Sequence, residues 1–180
     1  MAKRLCLLFL ICCWFLAGCT NQKEVNLEHT TPDGPTTAMS IAVVGNGPHP
    51  IIQNVSYVTV TLEELGEVHS RSFDGLIIFK DKFEEAAQAK NKEFFKNIQY
   101  PVFFIGAEEI LTAVFYSEGL TLEQVKGKRS GHYASGFVRA EEGGFHTWDI
   151  DLPNNPTDRD KGLNTIIRIC NIIQDYKKTK

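Results

Sequence analysis

Three short runs with no polar interruption constrain this chain most: Ile41-Ala42-Val43-Val44, Leu76-Ile77-Ile78-Phe79 and Val102-Phe103-Phe104-Ile105. A strand with one wet face alternates apolar and polar residues, whereas a strand covered on both faces has no reason to. The runs therefore read as buried strands of a largely parallel sheet. Gly45-Asn46-Gly47-Pro48 ends the first, and Pro101 stands at the permitted opening position of the third. Tyr57-Val58-Thr59-Val60 reads as one more strand. It leads into Thr61-Leu62-Glu63-Glu64, a capping-box pattern, with Val60 and Leu65 as a hydrophobic staple and Gly66 as the stop. Phe83, Ala86, Ala87, Phe94, Phe95 and Ile98 share one helical face, with Lys82, Glu85, Lys92 and Lys96 outside it. Ile110, Leu111, Val114 and Phe115 mark another helix.

The pattern changes towards the C-terminus. His132 to Ala140 and Phe145 to Leu152 read as two strands joined across Glu141-Glu142-Gly143-Gly144, a hairpin signal. Pairing across that turn predicts Tyr133, Phe137, Trp148, Ile150 and Leu152 on one face, with Ala134, Gly136, Thr147, Asp149 and Asp151 on the other. A helix from about Asp158 to Lys177 closes the chain, with Asn154-Asn155-Pro156-Thr157-Asp158 as its turn and N-cap. The expectation is one α/β domain over residues 40–180. It is a three-layer sandwich of about four parallel strands plus a C-terminal antiparallel hairpin and a final helix.

The other end of the chain carries an address. Lys3 and Arg4 precede an apolar run from Leu5 to Leu16, and Leu16-Ala17-Gly18-Cys19 follows. The run would span roughly 18 Å as a helix, short of the ~30 Å hydrocarbon core. Together these parts resemble a bacterial lipoprotein signal peptide with its lipobox. The resemblance implies that residues 1–18 are removed and that Cys19 becomes the new N-terminus. A diacylglyceryl transferase would first alkylate its sulfur, a lipoprotein signal peptidase would cut before it, and an acyl group often follows on the nitrogen. At ~0.8 kcal/mol per buried CH₂, two chains hold a protein on a membrane where one would let it leave. The expected location is the extracytoplasmic face of the cell membrane. Residues 20–39 are polar, rich in Thr and broken by Pro32, Gly34 and Pro35, and they read as a disordered tether.

Loss of Lys3 and Arg4 takes the net charge from −3 to −5 and leaves no basic block to track a phosphate backbone, so nucleic acid is not an expected partner. Cys6, Cys12 and Cys13 leave with the leader and Cys19 is acylated, so Cys170 has no partner in the chain. It lies within Ile166-Ile167-Arg168-Ile169-Cys170-Asn171-Ile172-Ile173, where a buried thiol is expected.

Ligands of parallel α/β sheets bind beyond the C-terminal strand ends. Asn46 and His49 after the first strand, and Glu108 after the strand ending at Ile105, are therefore the candidate ligand residues. Gly45-Asn46-Gly47 lacks the full Gly-x-Gly-x-x-Gly spacing of a dinucleotide loop. The stretch from Val58 to Ile110 resembles class I glutamine amidotransferase-like and flavodoxin-like domains, through Val58-Thr59-Val60, Phe73-Asp74-Gly75-Leu76-Ile77-Ile78 and Pro101-Val102-Phe103-Phe104-Ile105-Gly106. The amidotransferase pattern implies a nucleophilic cysteine after Ile105. Here that turn reads Gly106-Ala107-Glu108-Glu109, without Cys or Ser, which argues against that chemistry. Glu108 and Glu109 also suit the first turn of a helix. His132, Asp149 and Asp151 form the one close histidine–carboxylate set, with a spacing that matches no metal motif, and His146 falls with Trp148. No cofactor, metal or catalytic residue is expected. The leading expectation is a non-catalytic module that binds a protein or small ligand. The alternatives are an envelope enzyme using Asn46, His49 and Glu108, or an assembly partner presenting the hairpin's aromatic face.

Overall fold

A computed structural model describes residues 32–67, 73–127 and 131–180. The strands are β1 (Met39–Val44), β2 (Val55–Thr59), β3 (Gly75–Phe79), β4 (Val102–Ile105), β5 (Ala134–Arg139) and β6 (Phe145–Ile150). They form one sheet in the order β2-β1-β3-β4-β5-β6. The first four run parallel, and β5 and β6 are antiparallel to their neighbours. Every residue of β3 and β4 is buried, as their uninterrupted apolar runs require.

Two cores explain that burial. Ala42, Val44, Leu76, Ile78, Val102 and Phe104 face one of them, while Ile41, Val43, Ile77, Phe79, Phe103 and Ile105 face the other. The first is covered by α1 (Leu62–Glu67), α2 (Phe83–Ala86), α3 (Ala89–Lys96) and α4 (Leu122–Val125). Its centre is a group of rings, in which Phe104 stacks on Phe115 at 3.8 Å and Phe95 and Phe137 close in at 5.8 Å. The second core is covered by α5 (Thr165–Thr179), which buries Ile166, Ile169, Cys170 and Ile173.

Several boundaries differ from those read in the sequence. Residues 33–37 are docked on the domain instead of belonging to a free tether. Thr36 and Thr37 donate backbone N–H bonds to Gln174 Oε1 at 2.7 and 3.0 Å, and Asn171 Nδ2 donates to the Asp33 carbonyl. The capping box at Thr61 and Glu64 forms in both directions, yet Gly66 lies inside α1 and does not stop it. The expected helix from Phe83 to Ile98 is broken between Ala86 and Ala89. Lys92 is buried there, because its ammonium donates to the Ser117 and Leu120 carbonyls at 2.7 and 2.6 Å. The helix expected at Ile110 is a single 3₁₀ turn, Thr112–Phe115, so Glu108 and Glu109 precede no α-helical first turn.

The hairpin forms with a different register. Arg139 pairs with Phe145 and Phe137 with Thr147, leaving five residues in the connection where the sequence reading used four. A slip of one residue turns every side chain of one strand to the opposite face. Phe137 therefore enters the first core, while Trp148 lies on the other face against Phe103, at 5.8 Å, and Tyr176. The expected common Tyr/Phe/Trp face does not exist. The last helical segment begins at Asp158 and passes through a π turn, Asp160–Asn164, before α5.

Candidate functional site

Strand order places the site. The chain leaves β1 towards β2 across the second core, where Ile52 is buried, and leaves β3 towards β4 across the first, where Phe83 and Phe95 are buried. Connections that part to opposite faces leave a crevice between β1 and β3 at their C-terminal ends. A cavity of about 540 Å³ occupies that position. Asn46 reaches it from the loop after β1, Lys80 and Asp81 from the end of β3, and Glu108 from the end of β4. Tyr133 reaches it from the start of β5, and Asp158 and Lys161 from the helix start.

The glycine loop has an internal occupant. Asp81 accepts from the Asn46 backbone N–H at 3.1 Å and from Asn46 Nδ2 at 2.9 Å. A carboxylate thus takes the place that a ligand's anionic group would need at these donors, and Asn46 is engaged. Gly45 has φ +100°, and a Cβ there would stand 2.5 Å from Asp81 Oδ1. A Cβ on Gly47 would stand 2.1 Å from the Phe79 ring. Both glycines are explained by close packing.

Asn46 and Glu108 share the cavity, whereas His49 does not line it. His49 instead stacks on Tyr57, with ring centroids 5.5 Å apart. Cys19 lies outside the described residues. Glu108 adjoins Tyr133, whose phenol is held above its ordinary pKa by burial and by the Glu108 charge. The backbone N–H groups of Gly106 and Ala107 both donate to the Tyr133 carbonyl, tying the β4 end to the start of β5.

The histidine–carboxylate set does assemble. His132 Nδ1 lies 2.7 Å from Asp151 Oδ1, its Nε2 lies 3.7 Å from Asp149 Oδ2, and Ser135 Oγ donates to Asp149 at 2.7 Å. The two aspartates sit at opposite ring nitrogens, so this is a bracing network and not a cage. Among the described residues no group of three His, Cys, Asp or Glu side chains is arranged to hold a metal ion. Cys170 is fully buried and its thiol is pushed up to about 12 by burial, which removes it as a nucleophile.

Lys80, Asp81, Tyr133, Asp158 and Lys161 were not singled out from the sequence. Lys80 and Asp81 follow an apolar run directly, so the strand-end rule that selected Asn46 and Glu108 also selects them. Asp158 and Lys161 arrive through docking of the last helix, where a Cβ on Gly162 would stand 3.7 Å from Pro48 Cγ. No local pattern announces that contact.

No family model, curated protein or solved structure matches this chain.

Proposed function

We propose that this chain is a membrane-anchored extracytoplasmic lipoprotein, held by acylated Cys19, whose domain binds a ligand without converting it. The order Lys3-Arg4, apolar run, Leu16-Ala17-Gly18-Cys19 is the observation that carries the anchor. No helix among the described residues is long and apolar enough to cross a membrane. The lipids themselves and the two processing enzymes are the partners this reading requires.

The binding half of the reading rests on the cavity at the β1–β3 divergence. Its lining offers charges and a phenol and includes no Ser, Thr, Cys or His, and His49 stands outside it. On the same footing we read the domain as a three-layer sandwich of flavodoxin-like type, on the strength of the β2-β1-β3-β4 parallel order and a sheet with apolar cores on both faces. The anchor is tested by growing cells that express the chain with a clickable fatty acid. Label enters the wild type and is absent from Cys19→Ser, which stays unprocessed or mislocalised. Equal labelling and membrane retention of both would refute the lipobox.

A further inference from the structure

We propose that the strand-end cavity takes a small zwitterion, namely a short peptide with free ammonium and carboxylate termini. This rests on the reading of that cavity as a binding site. Its charged lining is mixed: Lys80 and Lys161 supply cations, and Glu108, Asp158 and Asp81 supply anions. Asp81 is held by the Asn46 backbone and side chain. Among the described residues the other four form no ion pair, so two ammonium groups and two carboxylates remain free around one space.

Charge balance then discriminates between ligands. A phosphate or other multiply charged anion meets Glu108 and Asp158, and finds the backbone and side-chain donors of Asn46 already filled by Asp81. A simple cation meets Lys80 and Lys161. A neutral sugar would pair with none of the four charges and so gain nothing from them. A zwitterion places a carboxylate against the lysines and an ammonium against Glu108 and Asp158, pairing groups of both signs at once. The cleft's volume of about 540 Å³ has room for a small organic ligand. Tyr133 lines the same space, and its phenol adds a neutral donor and acceptor for a peptide group.

The test uses the mature lipidated protein in nanodiscs, with saturation-transfer NMR and three probes: trialanine, its C-terminal amide and its N-acetyl form. Trialanine should bind, and each blocked form should bind about fivefold or more weakly. Lys161→Met should weaken trialanine by a similar factor while leaving the amide unchanged, and Glu108→Gln should do the same with respect to the acetylated form. Equal binding of all three probes, or no saturation transfer from trialanine at about 10 mM, would overturn the proposal. Conversion of trialanine to alanine in the same samples would end the non-catalytic reading while leaving zwitterion binding intact. Cys19 labelling reports on the anchor separately.

Discussion

Phe79 accounts for the glycine that precedes Pro48. Its ring fills the space a Cβ on Gly47 would need, so Gly47→Ala should cost roughly 1–3 kcal/mol of stability in urea titration. Lys92 illustrates the opposite lesson. Its position on the helix and its charge both predict exposure, and only the fold shows two carbonyls, of Ser117 and Leu120, waiting for it. Lys92→Met keeps the packing stem and strands those acceptors, so it should cost about 1–3 kcal/mol. Tyr57 supplies a control, since its hydroxyl is buried with no hydrogen-bond partner among the described residues. Tyr57→Phe should therefore leave stability unchanged or raise it by up to about 1–2 kcal/mol, and a loss would reveal a partner for that hydroxyl. Asn46 and Glu108 could be found at this scale because strand ends are visible in hydropathy. The filling of the Asn46 donors by Asp81 could not, because it depends on the adjacency of β1 and β3.

Local chemistry and long-range pairing differ in how much of an element they announce. The Thr61–Glu64 capping box is written in four consecutive residues and forms as written. The last helix opens on a similar device: Thr157 Oγ1 accepts from the Asp160 N–H at 3.2 Å, and Asp160 Oδ2 accepts from the Thr157 N–H at 2.9 Å. Thr157→Ala should cost about 1 kcal/mol, read as a lowered urea midpoint. The hairpin could be located but not registered, since Glu141-Glu142-Gly143-Gly144 is compatible with connections of four or five residues. What decides is the fit of β5 on β4: Gly136 lies over Phe103, where a Cβ would stand 2.5 Å from the ring, and this sends Phe137 to the other face. The break between α2 and α3 has a similar origin. Asn91 Nδ2 donates back to the Glu85 carbonyl at 2.7 Å, a bond that competes with a continuous helix.

At the scale of the whole molecule, burial on both faces of the sheet makes stability sensitive to alkali. Cys170 and Tyr100 are both pushed up to about 12 by burial, from 9.0 and 10.0. The unfolded chain releases these protons first, so their contribution is complete below pH 9. It declines as pH rises towards 12, by at most about 1.4 kcal/mol per pH unit for each group. Urea midpoints should fall between about pH 9 and 10.5, and Cys170→Ala should flatten part of that fall. The overall architecture was legible because the three central parallel strands, β1, β3 and β4, are each a separate apolar run. The cavity was legible only in part, since Asp158 and Lys161 come from a helix more than fifty residues beyond the end of β4. Neither the domain nor its cavity states where the protein resides; that rests on Leu16-Ala17-Gly18-Cys19. Intact-mass spectrometry of the chain extracted from its native membrane tests it directly. The account predicts a polypeptide beginning at Cys19 and heavier by a diacylglyceryl group, with or without a further acyl chain. A chain that retains residues 1–18, or one cleaved elsewhere without added lipid, would contradict it.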